Sequence, residues 1–238
     1  TSLTNVTFDL RQGEILGIGG VAGNGQDELF AVLSGEQFSQ HGSISLNGIN
    51  ITKFNPNQRR KIGLLSAPEE RLGHAAAPNM SLIENTLITA ENSQNLVSRG
   101  FIDWKKSKAF AEKVIKKFDV RTPGSQNTAG SLSGGNLQKF VIGREILQNP
   151  SVFIVNQPTW GVDAAAASSI RQALLTLSEN GAAILVISQD LDELLEISDQ
   201  FAALNGGALS RIEKTADLSM EQIGLMMGGA EDLEVHNV

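Results

Sequence analysis

The chain contains no cysteine, which excludes disulfide staples, thiolate metal sites and cysteine nucleophiles and fits a reducing compartment. Histidine is scarce. His41, His74 and His236 are the three present, they sit in unrelated contexts, and no Ser/His/Asp arrangement is legible around them, so surface positions are expected. Long apolar runs are also missing: 182–187 and 151–155 fall far short of the roughly 18 residues of a membrane span, so membrane contact is expected through a partner. Nor is there an excess of positive charge. With 26 acidic against 19 basic residues the net charge is -7, which argues against a chain built to grip nucleic acid. Thr1-Ser2-Leu3-Thr4 shows neither a basic n-region nor an apolar leader core; no export signal is expected, and the chain reads as starting in mid-sequence. Internal repeats and low-complexity tracts are not found. What remains is 238 residues, 41% hydrophobic and 19% charged, enough for a sizeable core in one large domain or two small ones.

Periodicity gives a coarse map. Val6, Phe8 and Leu10 alternate with polar residues and predict a strand over 3–10, joined through Gly13-Glu14 to a second strand over 15–18. After Gly25 the spacing turns helical, with Leu29, Phe30, Val32 and Leu33 apolar as far as Gly35. Strands are expected at 43–46 and 62–66, with Asn47-Gly48 as a turn after the first. Residues 81–117 read as mainly helical, with Asp103 capping a helix whose Trp104, Ala111, Val114, Ile115 and Phe118 share one face. Lys105, Lys106, Lys108, Lys113, Lys116 and Lys117 on that helix are expected to form a solvated face. A buried-type strand at 152–155, a helix capped by Asp163 with Ile170, Leu174 and Leu177 inward, and a strand at 183–188 follow, an order that argues for parallel pairing. A helix over 190–197, a hairpin of 201–204 with 208–212 about Gly206-Gly207, and a helix over 218–227 complete the pattern. The stretch past Gly228 reads as a disordered tail. The paired carboxylates Glu69-Glu70 and Asp192-Glu193 are assigned to a loop and a solvated helix rather than to acid and base chemistry.

Gly20-Val21-Ala22-Gly23-Asn24-Gly25-Gln26-Asp27 lies between a strand and a helix, the setting of the phosphate-binding loop G-x-x-x-x-G-K-[ST]. Glycines let backbone N–H groups turn toward phosphate, and the helix N-terminus adds partial positive charge. The motif's lysine is replaced by Gln26 and its magnesium hydroxyl by Asp27; on this loop alone, a glycine turn that packs a helix on a strand fits as well. Leu132-Ser133-Gly134-Gly135-Asn136-Leu137-Gln138-Lys139 leads into a second helix. A serine and glycines at a helix start suit an anion presented from outside, whereas a bland cap explains the serine and one glycine.

With Val152-Phe153-Ile154-Val155-Asn156-Gln157-Pro158-Thr159-Trp160-Gly161-Val162-Asp163 following at the right distance, the chain resembles the ABC transporter ATPases. The phosphate loop, the Ser133-Gly134-Gly135 signature, the Walker B strand with its D-loop, and the switch segment Val186-Ile187-Ser188-Gln189-Asp190 fall in the family's order over nearly the whole chain. Ala67-Pro68-Glu69-Glu70-Arg71, then Asn79-Met80-Ser81 and Glu84-Asn85, resembles a stretch in the second halves of sugar and nucleoside importer ATPases. The resemblance implies an α/β P-loop NTPase cassette with a mixed β core, an antiparallel β portion and a helical subdomain. The ATP-binding core would span 1–80 and 131–228, the helical subdomain 81–130 and the tail 229–238.

The family's magnesium-associated aspartate falls at Asn156, its catalytic glutamate at Gln157 and its switch histidine at Gln189. The nucleotide-contacting positions are then Gly20, Gly23, Asn24, Gly25, Gln26, Asp27, Asn156 and Asp163, with ATP weakly held and magnesium absent or weakly bound at Asp27; only tight ATP binding would point to Asp27 and Glu28 as substitute groups. Ser133, Gly134 and Gly135 would act in trans, on ATP held by a first cassette of the same polypeptide. Further implied partners are membrane permease subunits at the inner face of the cell membrane and, indirectly, a solute-binding protein; no nucleic acid is expected. Gly-Asn-Gly-Gln in the loop and Gln-Pro-Thr after the strand lean toward nucleoside over sugar. A regulatory or scaffolding cassette that never contributes to hydrolysis is the alternative, and loss of the loop lysine speaks against a self-sufficient ATPase of the DNA-repair type.

Overall fold

The computed structural model describes residues 1–229; of the expected tail 229–238, Gly229 is the ordered C-cap of the last helix at φ 69°, and the rest, with His236, lies outside them. In chain order the elements are β1 (Ile15–Gly19), α1 (Gln26–Ser34), β2 (Ser45–Leu46), β3 (Ile49–Asn50), α2 (Pro56–Lys61), β4 (Leu64–Ala67), α3 (Leu82–Ala90), β5 (Val97–Ser98), β6 (Phe101–Ile102) and α4 (Trp104–Lys117). There follow α5 (Gly134–Ile146), β7 (Val152–Asn156), α6 (Ala164–Glu179), β8 (Ala183–Ser188), α7 (Leu191–Ile197), β9 (Gln200–Asn205), β10 (Ala208–Leu209), β11 (Glu213–Lys214) and α8 (Met220–Gly228). Two compact units result: Thr1–Leu65 with Ser151–Gln157 and the chain from Ser178 onward, and Ser66–Pro150 with Pro158–Leu177.

The first unit carries an α/β sheet of order β10-β9-β1-β8-β7-β4, with β11 also on β9. β1 pairs in parallel with β8 and β9, and β7 in parallel with β8, while β10 and β11 run antiparallel to β9. Every residue of β1 and β8 is buried, the near-continuous apolar reading of strands covered on both faces. Leu16, Ile18, Ile154, Leu185 and Ile187 of these strands meet Leu29 and Phe30 of α1 in one core. Arg59 of α2 is buried among them without a carboxylate: its guanidinium donates to the carbonyls of Val32, Leu33, Ile51 and Phe54.

Residues 3–10 depart from expectation: they form no strand. Val6, Phe8 and Leu10 do lie half-buried on the core, so the alternation reports real burial. A ladder also needs a neighbouring edge, and here Asn5 turns left-handed at φ 52° while Thr4 N–H bonds to Gly207 O at 2.8 Å. The helix α2, begun by Pro56 and a reciprocal Asn55–Gln58 capping box, was not legible as a period in six residues. Asn47 and Gly48, both at positive φ, close the β2–β3 hairpin as expected.

In the second unit polar anchors join α5 to α3 and to the loop ahead of it. Arg144, 2% exposed, pairs with Glu145 at 2.8 Å and donates to the carbonyls of Asn85 and Ala75. Asn85 in turn ties Ala77, Met80 and Ser81 through its side chain, which fixes the loop ahead of α3. The stretch expected to be mainly helical is interrupted by the β5–β6 hairpin, whose Arg99-Gly100 turn has φ of 51° and 82°, the backbone a two-residue hairpin turn demands. Trp104 is a further correction. It is 53% exposed, whereas Ser107, Phe110, Ala111 and Val114 are the buried residues of α4. Its angular position matches Ala111 seven residues on, yet within the first turn it is Ser107, 0% exposed, that is buried.

Candidate functional site

In the first unit, β1 ends at Gly19 and the loop runs to Gly25, which stands at φ 115° as the N-cap of α1 without a side-chain cap. Gln26 does not reach outward as a lysine would. It is 6% exposed, its Nε2 donates to Val21 O at 2.9 Å, and its Oε1 accepts from Asn24 N–H at 3.1 Å. The amide thus fills the loop from within and takes up a backbone donor that a phosphate would use. Gly20 makes the space: a Cβ there would lie 2.4 Å from Gln26 Nε2 and 2.7 Å from Leu204 O. Asn24 is pinned from the other side, accepting from Gly206 N–H at 3.1 Å and Gly207 N–H at 2.9 Å.

Asp27 is exposed, and Asn156 Nδ2 donates to its carboxylate at 3.3 Å. Asn156 itself is 3% exposed, with Oδ1 buried and unpartnered. One carboxylate with an amide N–H₂ on one oxygen does not make the oxygen cage that magnesium requires, and no cluster of three or more His, Cys, Asp or Glu suited to a metal occurs among the described residues. Gln157, at φ 52° and 4% exposed, accepts at Oε1 from Gln189 N–H at 3.3 Å. Gln189 therefore joins by its backbone, its side chain being exposed. Glu193, expected on a solvated helix, is instead 2% exposed and accepts from Ser188 Oγ at 2.8 Å. The loop and strand residues are brought together, but their polar groups bond to one another.

The second unit presents the opposite arrangement. Ser133 is the N-cap of α5, yet its side chain makes no capping bond; Oγ accepts from Asn136 Nδ2 at 2.9 Å, which leaves the hydroxyl proton to donate elsewhere. Ser133 and Gly134 are exposed. The first helical backbone bond is Leu137 N–H to Ser133 O, so the N–H groups of Gly134, Gly135 and Asn136 are the open donors of a helix start. At Gly135 a Cβ would meet nothing nearer than 3.9 Å. Arg71 runs beside this end, donating from Nε to Gln138 Oε1 at 2.9 Å and from Nη2 to Trp160 O. Burial lowers the Arg71 pKa, with the Glu69 carboxylate opposing the shift. Gln138, 1% exposed, donates to Pro158 O at 2.8 Å, so the turn after the Walker-type strand and the start of α5 share one hydrogen-bond chain. Asp163 accepts from Ala166 N–H at 2.8 Å as the cap of α6. It also lines, with Ser133, Gly135, Asn136, Lys139 and Val162, a cleft of about 210 Å³.

Arg71 and Gln138 carry no role in the sequence reading. Both stand in motif segments quoted from the sequence, but their partners in the turn after β7, Pro158 O and Trp160 O, were not legible locally. As an anion site the start of α5 fits: open N–H donors, a free hydroxyl proton and a helix dipole point the same way. At the loop of the first unit the Asn24 N–H is taken up by Gln26, an amide stands at position 26 and Asp27 is acidic.

The ABC transporter family model matches residues 3–160. The glucose import ATP-binding protein TsgD13 of Haloferax volcanii is 36% identical over 233 residues, covering 97% of this chain and 42% of that protein. The nucleoside import ATP-binding protein NupA of Lactococcus lactis is 36% identical over 224 residues, 94% of this chain and 44% of its own length. The chain thus spans less than half of the curated relatives it matches. Among solved structures, the ATP-binding cassette MJ0796, in a dimeric post-hydrolysis state bound to ADP and Pi, has a TM-score of 0.74 at 22% identity over 90% of each chain. An ATP-binding subunit of an ABC transporter scores 0.75 at 22% identity, covering 98% of this chain and 91% of that one. By sequence and by fold, the chain belongs to the ABC transporter ATP-binding family.

Proposed function

We propose that this chain is the second ATP-binding cassette of an importer ATPase for a sugar or nucleoside, and that it serves the ATP site of a first cassette while its own loop is disabled. The observation that carries the reading is the contrast between two helix starts. At α1 the side chain of Gln26 occupies the loop; at α5 the donors are open and Gly135 meets no packing demand. ATP bound against α5 would supply the phosphoryl group, and Ser133, Gly134 and Gly135 would donate to charge developing on it, electrostatic stabilisation in trans. Asp163 caps the helix beside them. Gln157 and Gln189 have no ionisable group to take a proton, so no hydrolysis is assigned to the loop they neighbour.

The energetic argument runs the same way. A charge pair at about 4 Å is worth on the order of 4 kcal/mol at an effective dielectric of about 20, and each 1.4 kcal/mol is about tenfold in affinity. Gln26 forgoes that attraction and Asp27 adds repulsion, so ATP binds weakly there, and Asp27 gives at most a weak magnesium contact. In this reading permease subunits carry the solute, the cassettes sit at the inner face of the cell membrane, and a solute-binding protein acts upstream. The sugar and nucleoside relatives support an importer, and the loop sequence Gly23-Asn24-Gly25-Gln26 favours a nucleoside.

Calorimetric titration with Mg-ATP tests the reading. The parent chain is expected to bind weakly or not at all, and the Gln26→Lys, Asp27→Thr double variant to bind at least about tenfold tighter. Tight binding and turnover by the parent would sink the disabled-loop assignment. Full turnover in the assembled transporter after Ser133→Arg would leave a regulatory or scaffolding cassette instead.

A further inference from the structure

The six lysines of α4 and the aromatic residues beside them have no part in either helix start. With Asp103 and Glu112 as the only acids of the segment, they give it a net charge of +4 within a chain of -7. All six are exposed, spread over about half of the helix circumference at about 100° per residue, while Phe110, Ala111, Val114 and Phe118 are buried. Lys106 approaches Asp103 at 3.8 Å and Lys108 approaches Glu112 at 3.7 Å. Lys105, Lys113, Lys116 and Lys117 have no ion-pair or hydrogen-bond partner among the described residues. Just ahead of Lys105 in the chain stand Phe101, 80% exposed, Ile102, 39%, and Trp104, 53%. Phe101 and Ile102 form the second strand of the β5–β6 hairpin and Trp104 opens α4.

We propose that the β5–β6 hairpin and the lysine face of α4 dock on an anionic phospholipid surface. A solvated face accounts for the lysines but not for three bulky apolar side chains exposed within the four residues that precede Lys105. An acidic protein segment would satisfy the lysines and leave the same three unexplained. A bilayer surface uses both: the headgroup layer takes Trp and Phe at the depth where aromatic rings partition, and negative lipid attracts the basic stripe within a Debye length. Lysine stems can lie along the apolar boundary while their ammonium groups stay with phosphate. The contact is made on the surface, as no described helix is long and apolar enough to cross a membrane. It shares no residue with the phosphate loop or the α5 start and stands independently of the cassette's ATP role.

The chain has two tryptophans, at 104 and 160, so a Trp160→Phe background isolates the emission of Trp104. This chain is mixed with phosphatidylcholine vesicles with and without a minority of phosphatidylglycerol, and both co-sedimentation and the Trp104 emission maximum are read. The expected result is binding only with phosphatidylglycerol, weakened by salt and accompanied by a blue shift. Replacing Lys105, Lys113, Lys116 and Lys117 by Gln should lower the partition coefficient more than about a hundredfold, at roughly fivefold per lysine. Phe101→Ser should weaken binding without changing its salt dependence. Unchanged far-ultraviolet circular dichroism keeps these comparisons among folded chains. No phosphatidylglycerol-dependent binding, or equal binding by the lysine variant, overturns the proposal. Co-sedimentation with an unshifted Trp104 also overturns it, and assigns the lysines to an acidic macromolecule.

Discussion

At Gly135 nothing in the chain itself asks for a glycine: its φ is not among the positive values, and an added Cβ would meet Val162 only at ordinary contact distance, 3.9 Å. Glycine in a helix costs up to about 1 kcal/mol against alanine. Gly135→Ala is therefore expected to raise the unfolding free energy of the chain by a few tenths to about 1 kcal/mol in a urea titration. On the role proposed above, the same change should lower ATP turnover of the assembled transporter, because the methyl group would intrude on whatever approaches the helix start. A variant that loses stability would show that the glycine is structural. Gln26 presents the converse case. The sequence could say that lysine was missing, since identity at a motif position is local information. That the amide would turn back and bond to Val21 and Asn24 depended on Gly20 leaving room beneath Leu204, a contact between distant parts of the chain.

Helices and strands were legible where burial imposed a period over many residues. β1, β7, β8, α1, α4, α6 and α7 lie where the apolar pattern puts them, because a buried strand or a one-faced helix cannot hide that requirement. Short elements were not. α2 and the β5–β6 hairpin are fixed by caps and turn geometry in a few residues, too few for a period. α2 owes its place to Arg59, which gathers four carbonyls, among them the last-turn carbonyls of α1. Arg59→Leu is expected to cost about 2–4 kcal/mol, since the buried acceptors lose their donor. Arg59→Lys should recover little of that, because an ammonium cannot reproduce the planar fork; chemical denaturation of both variants checks this.

Glu84, in the Ser81 capping box of α3, has its pKa lowered below the ordinary 4.5 by hydrogen bonds from the Ser81 hydroxyl and backbone N–H. A depressed folded pKa means the unfolded chain binds the proton more readily. Its contribution is therefore full above the unfolded pKa and disappears as pH falls through the folded one. The stability difference between the parent and Glu84→Gln should accordingly narrow below about pH 4.5; a gap that stays constant with pH would refute the assignment.

For the molecule as a whole, sequence alone determined the family, the α/β class, the order of the long elements, and that amides stand at positions 26, 156, 157 and 189. These are properties of residue identity, spacing and period, and they hold before any contact is made. Tertiary structure decided what no local pattern encodes: that residues 3–10 pack without joining a ladder, that Glu193 is buried beneath Ser188, and that Trp104 and Phe101 face outward. It also decided that Arg71 and Gln138 link the start of α5 to the Pro158–Trp160 turn. Each of these turns on which surfaces find partners across long sequence separations, and burial is a property of the partner as much as of the residue.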